Sequence, residues 1–216
     1  MHRRFREKYY WWHYEEWFIR DFFDDMRDGF FLDIGSWRYS EGSNTFLLEA
    51  DLGWSGIAID AQEKFREGYD KHRPRTKFFS YFVSDVSGRQ AKLHVPGANT
   101  AVASADQAHI DRHGLKTSET IHVQEITLDA LLDREGVRQI DFLSMDIELA
   151  EPAALRGFDI QRFAPKLVCI EDHPQVHEFI EDYFRRNGYA KIDLWSRIDG
   201  YNSYFAPREF VKMKTP

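Results

Sequence analysis

The 216-residue chain contains one cysteine, Cys169, so no disulfide can form within it. That thiol sits in the apolar run KLVCI and reads as a small buried core residue. A chain without disulfides suits a reducing compartment, and a cytoplasmic location is expected. No apolar run approaches the ~20 residues of a membrane-spanning helix. The N-terminus, MHRRFREKYYWWHYEEW, carries basic residues but no apolar signal core, so neither secretion nor stable membrane insertion is expected. A basic excess is also lacking: 29 Lys and Arg face 36 Asp and Glu, for a net charge of −7. Nucleic acid is therefore not an expected partner, and no NPPY-like motif for holding a flipped amine is present. Repeats and low-complexity segments are absent. Glycines number 13, yet none form G-x-G-x-x-G, and Gly35 is followed next by Gly42. Such a turn lacks the close backbone approach that a pyrophosphate requires, which argues against a nicotinamide-dependent oxidoreductase.

What is present is 43% hydrophobic and 30% charged residues, the balance of one globular domain with a full core. Twelve of the 34 aromatics fall in the first 31 residues. Tyr10, Tyr14, Trp17 and Phe18 recur at i, i+4, i+7 and i+8, which predicts an amphipathic helix from Arg4 to Met26. Residues 1–29 are thus expected to be a helical extension and 30–216 the main domain. The aromatic stripe is expected to cap one edge of the core. A homodimer contact or a wall of the substrate site are its alternative uses.

From Phe30 onward, short apolar runs alternate with amphipathic stretches. FFLDI, GIAID, KFFSYFV, IDFLSMDI and KLVCIED read as strands, as do AKLHV, IHVQEIT, YAKIDLW and YNSYFAP. Ser43 is expected to cap a short helix, and Asp60 another, with Glu63 as its capping-box partner. Thr127 begins a helix that Gly136 ends, Pro152 sits at the start of another, and Pro174 opens the last. Residues 96–120 read as a long polar loop, of which Asn99 and Thr100 are candidates to touch substrate. This alternation predicts an α/β fold, a mostly parallel sheet with helices on both faces.

In such sheets ligands bind at the carboxyl ends of the strands. Those ends carry Asp33, Asp60, Asp85, Asp146 and the trio Glu171, Asp172 and His173. Each acid alone could be a cap or turn former. Together on one rim they imply a cation or a hydroxyl-rich ligand. S-adenosylmethionine has no phosphate, and its ribose diol, ammonium and sulfonium all suit carboxylates.

The stretches FFLDIGSWRYSEGSNTFLLEADLGWSGIAID, FFSYFVSDVSG, ITLDALL, IDFLSMDIELAEPAALRGFDIQRFAPKLVCIE and YNSYFAP resemble the FkbM family of S-adenosylmethionine-dependent methyltransferases. The resemblance covers nearly the whole chain beyond the N-terminal helix. It implies the class I methyltransferase fold, Rossmann-like, with a seven-stranded sheet whose last strand is antiparallel. It further implies an O-methyltransferase acting on a hydroxyl of a sugar, glycan or natural product. By the same resemblance Asp33, Gly35 and Ser36 belong to the cofactor's first loop, and Ser43, Asn44 and Thr45 to the helix start over its amino-acid end. Asp60, with Ala61 beside it, would hold the ribose, and Ser84 and Asp85 would lie at the adenine edge. Asp146 and Glu148 match the family's D-x-E, and Glu171 its following acid. Two departures stand out: Tyr39 and Leu149 occupy positions where many relatives have glycine.

Methyl transfer to a hydroxyl requires alignment and removal of a proton. His173 or Glu148 could act as the base. Alternatively Asp146 and Glu171, with Asp172, could hold Mg²⁺ to lower the hydroxyl pKa. The competing assignments are an N-methyltransferase of the same fold and a non-catalytic binding module.

Overall fold

The structure, a computed structural model, describes residues 14–214. The first described helix, α1 (Glu15–Phe23), covers only part of the expected segment, and Arg4 to His13 lie outside the described residues. It also stops earlier than Met26. Asp24 turns left-handed at φ 49°, and Arg20 pairs with Asp25 across the turn at 2.7 Å.

The remaining elements follow in chain order. They are β1 (Phe30–Ile34), α2 (Phe46–Ala50), β2 (Ser55–Asp60), α3 (Arg66–His72), β3 (Thr76–Ser80) and β4 (Phe82–Val83). Next come β5 (Gln90–Pro96), α4 (Gln107–Arg112), β6 (Thr117–Ile126), α5 (Leu128–Arg134) and β7 (Phe142–Met145). The chain continues with α6 (Glu151–Arg156), α7 (Ile160–Phe163), β8 (Leu167–Glu171) and α8 (His177–Arg186). It ends with β9 (Tyr189–Lys191), α9 (Asp193–Asp199), β10 (Asn202–Pro207) and α10 (Arg208–Lys214).

Seven strands form the main sheet in the order β3-β2-β1-β7-β8-β10-β9. All pairings from β3 to β8 are parallel, and β10 runs antiparallel to both β8 and β9. This is the class I methyltransferase topology expected from the sequence. Both faces are buried, which explains why the strands read as continuous apolar runs rather than as alternation. On one face Leu32, Ile34, Ile57, Leu143 and Val168 pack against α5, α6 and α8. On the other, Phe31, Phe142, Leu167 and Cys169 pack with Trp54, Tyr204 and the α1 residues Phe18, Ile19 and Phe22. The aromatic stripe of α1 thus closes the core: Phe18 stacks on Trp195 at 4.9 Å and meets Tyr204 edge-on at 5.2 Å. Among the described residues no helix is long and apolar enough to cross a membrane.

Several boundaries differ from expectation, each for a local reason. KFFSYFV splits at Tyr81, because β4 leaves the main sheet to pair with β6 in a second sheet, β4-β6-β5. Residues 96–120 are not one loop: a 3-10 turn (Thr100–Val102) and α4 form an arm between β5 and β6. IDLW is the start of α9, since Leu194, Trp195 and Ile198 follow helical spacing and Gly200 ends the turn at φ 81°. Thr45, not Ser43, precedes α2, and α8 starts at His177 rather than Pro174. Asp60 does not cap a helix, because its carboxylate is engaged elsewhere.

Candidate active site

Sheet order reverses at β1, which lies between β2 and β7. A crevice necessarily opens at such a switch point, beyond the carboxyl ends of the strands. Here it is a cavity of about 440 Å³. Gly35, Trp37 and Asn44 line it from the loop after β1, Asp60, Ala61 and Gln62 from the end of β2, and Asp146 and Glu148 from beyond β7. Glu171 closes β8, Asn99, Ala101 and Val102 come from the arm, and Glu15, Tyr201 and Asn202 complete the wall.

Gly35 is the point where the chain must bend hardest. Its φ is +78°, and a Cβ there would lie 1.6 Å from the Asp146 carbonyl oxygen. Only glycine allows the loop after β1 to press against the strand end that carries the acids. Past this bend the Gly35 and Ser36 amides both donate to the Ile59 carbonyl, at 2.8 and 3.0 Å.

Asp60 ends β2 with its side chain at the cavity wall. Its Oδ1 accepts from the Gln62 amide at 2.7 Å and its Oδ2 from the Trp37 amide at 3.0 Å. Two backbone donors fix the carboxylate plane, and each oxygen keeps a lone pair for a further donor. Burial pushes its carboxyl up to about 6, against the opposing pull of those two amides.

Asp146, Glu148 and Glu171 form an acidic group whose nearest oxygens lie within 4.8 Å of one another. Asp146 is exposed within the cavity, yet protein crowds its carboxyl group. That desolvation, together with Glu171 and Glu148, raises its pKa well above the usual carboxylate range. His173 reaches Glu171 at 3.0 Å and Glu148 at 3.6 Å, and these two carboxylates push its pKa up to about 10. Beneath them Glu151 is fully buried and donates nothing to the cavity: its Oε1 accepts from the Ile147 amide at 3.0 Å. Burial and the Glu171 charge push its carboxyl up to about 8.

The structure brings some predicted residues together and keeps others apart. Gly35, Asn44, Asp60, Ala61, Asp146, Glu148 and Glu171 all line the cavity. Asp33 does not: it lies one residue before the end of β1, buried beneath the following loop, where Thr45 donates to its Oδ2 at 2.7 Å. Thr45 is itself fully buried and Ser43 sits behind it, so of this trio Asn44 alone faces the cavity. Ser36 is buried, with its carbonyl accepting from the Tyr69 hydroxyl at 3.0 Å. Ser84 pairs with β6 through its amide and Asp85 lies beyond it; at this edge Tyr81, Phe82 and Val83 form the wall instead. His173 flanks the acids Glu171 and Glu148.

The expected set of Asp146, Glu171 and Asp172 does not assemble. Adjacent residues at a strand end face opposite ways. Asp172 therefore turns away to His177 at 2.9 Å, to the Ser203 hydroxyl and to Lys191. Glu148 takes its place beside Asp146 and Glu171.

Two important residues carried no signal in the sequence. His109, on α4, is 2% exposed in its side chain and places Nε2 2.5 Å from Glu148 Oε2. Arg73, just after α3, is 1% exposed. It donates to Glu49 at 2.6 Å, to the Tyr39 carbonyl at 2.8 Å and to the Thr45 carbonyl at 3.2 Å. The loop that holds Asn44 on the cavity wall is anchored by this one guanidinium.

A family model described as the methyltransferase FkbM domain matches residues 10–191. Comparison with curated proteins finds no match. Among solved structures, the chain is similar to a proposed RNA methyltransferase from Pyrococcus horikoshii. That similarity has 12% identity and a TM-score of 0.45, covering 89% of this chain and 81% of the other.

Proposed function

The chain belongs to the FkbM methyltransferase family, and from that premise we propose that it transfers a methyl group from S-adenosylmethionine to a hydroxyl of a sugar, glycan or natural-product acceptor. Asp60 carries the assignment. It is a buried carboxylate at the end of the second strand, fixed by two backbone amides and open to the cavity. A ribose diol offers the two donors that its remaining lone pairs can accept. The cavity size is that of a small-molecule site. S-adenosylmethionine supplies an electrophilic methyl group; the chain's own residues do the rest.

Tyr81, Phe82 and Val83 offer a flat apolar edge for a base, next to Asp60. Asn44 presents its amide beside the end of β7, where Ser144 accepts from Nδ2 at 3.1 Å. Glu148, which lines the cavity, is the proton acceptor in this reading, with His173 beside it at 3.6 Å. Glu148 sits on left-handed backbone at φ 55°, followed by Leu149 at φ 78°, so its side chain is held out from the end of β7 by an unusual turn. Acids crowding the acceptor position suit a neutral polyol, whose hydroxyls can donate to them.

Calorimetric titration with S-adenosylhomocysteine tests the assignment. Micromolar binding is expected for the unaltered chain. Asp60→Ala removes two charge-assisted hydrogen bonds and is expected to weaken binding by about 3 kcal/mol, or roughly a hundredfold. Absence of binding by the unaltered chain would refute the assignment.

A further inference from the structure

We propose that His109, Glu148 and His173 form a binding site for one divalent transition-metal ion, beside the cavity that Glu148 lines. Their donor atoms all lie within 4.8 Å of one another. His109 Nε2 is 2.5 Å and His173 Nε2 3.6 Å from the same oxygen, Glu148 Oε2. The two imidazoles approach edge to face, with centroids 5.1 Å apart. Ligands about 2.1 Å from a shared ion stand roughly 3 to 4 Å apart, so small movements bring these atoms to that spacing. Glu171 Oε1, 3.0 Å from His173 Nε2, is placed to join as a fourth ligand.

The surroundings favour an ion over a hydrogen-bonded trio. His173 Nε2 and Glu171 Oε2 are buried atoms without a well-formed hydrogen bond. Glu151, fully buried, leaves its Oε2 unpartnered. It is close enough to Glu171 and His173 for both charges to act on it. The pocket thus gathers two imidazoles and several carboxylate oxygens, with too few hydrogen-bond donors to serve them all. The donor set also selects the ion. Mg²⁺ takes oxygen ligands and retains water, whereas two imidazoles and a carboxylate suit Zn²⁺, Co²⁺, Ni²⁺ or Mn²⁺.

The three ligands come from distant elements: His109 from α4 on the arm, Glu148 after β7, and His173 after β8. A second contact already docks the arm here, for Ser104 donates to the Glu148 carbonyl at 2.8 Å. An ion at this point would tie the arm to the main sheet and fix the orientation of Glu148. A similar group, Asp172 with His177 and Glu181, differs in one respect: Lys191 already reaches both acids, at 3.7 and 2.6 Å, and supplies its cation.

This site does not depend on the methyl-transfer assignment, and its test reads metal directly. The untagged chain, stripped with chelator, is dialysed against Zn²⁺, and bound metal is counted. Co²⁺ is then titrated while visible absorption is followed. One ion per chain is expected. Binding should weaken at least about a hundredfold in His109→Ala and in His173→Ala, and stay unchanged in His177→Ala. His109→Gln, which keeps volume and polarity, guards against misfolding, and circular dichroism verifies each variant. No stoichiometric binding, or binding that survives both alanine variants, would overturn the proposal. S-adenosylhomocysteine titration of the same samples reports the cofactor site separately.

Discussion

Replacing Arg73 by methionine removes the cation that anchors the loop after β1 while keeping much of the side-chain volume. Arg73 lies in a buried pair with Glu49, their side chains 1% and 6% exposed. Without it Glu49 keeps its bonds from the Arg75 amide at 2.8 Å and the Thr76 hydroxyl at 2.5 Å, so its charge is only partly stranded. Breaking a buried pair costs about 3–5 kcal/mol, and those two retained donors place the loss of the charge near the lower end. The Tyr39 and Thr45 carbonyls also lose their donor, adding about 1 kcal/mol or more. A total near 4 kcal/mol lowers the melting temperature of a chain this long by about 8–16 °C. Thermal unfolding followed by circular dichroism measures the change. The double variant Arg73→Met with Glu49→Gln should recover about 2 kcal/mol, because the glutamine accepts the same bonds without a buried charge. A fall below about 1 kcal/mol in the single variant would show that desolvation of the pair already cancels its attraction, and would refute this account of the loop. Cofactor affinity should fall in parallel, since Asn44 lies between two residues that the guanidinium touches.

Gly35→Ala should cost more than about 3 kcal/mol and abolish S-adenosylhomocysteine binding, because its Cβ would overlap the Asp146 carbonyl; denaturant titration measures it, and a fully stable variant would show that the bend is not obligatory. Glu15, on α1, has its carboxyl pushed up to about 8, by burial and by Asp199. Such a raised acid stabilises the fold below about pH 4.5 and loses that contribution as pH rises through 8, so the melting temperature should decline across this window. Glu15→Gln, still accepting from Asn202, should flatten that decline; an unchanged pH profile would assign it to other groups. Asp60 titrates near 6, so S-adenosylhomocysteine affinity should drop by up to about tenfold per unit below pH 6. Pre-protonated binding, seen as a flat profile from pH 5 to 7, would contradict carboxylate recognition of the ribose.

The sheet was legible because buried parallel strands are short, apolar and separated by helical periodicity. The rim was legible only to within one residue. Asp60 is the last residue of β2 and reaches the cavity; Asp33, on the same side of the sheet, is one position short of the end of β1 and is covered by Thr45. An acid near a strand end is recognisable in the sequence, while the loop that closes over one of them is not. Side-chain alternation does separate Glu171 from Asp172. His109 was illegible for a different reason. It stands 39 residues before Glu148, in a stretch whose polarity resembles a connector, and only the docking of the arm brings them together. Arg73 resisted recognition because arginine is rarely buried, and no pattern marks the exception.

The wall of the cavity joins two distant stretches of the chain, since Asn202 donates to Glu15 across 187 residues at 3.0 Å. A ribosome releases α1 long before β10. Until Trp195 and Tyr204 are made, Phe18 therefore lacks its two ring partners and the cluster around α1 stays open on that side. Contacts this distant in sequence form late and slowly. The aromatic helix is accordingly a stretch in need of protection while the chain is nascent, and its contacts with Trp195 and Tyr204 form late.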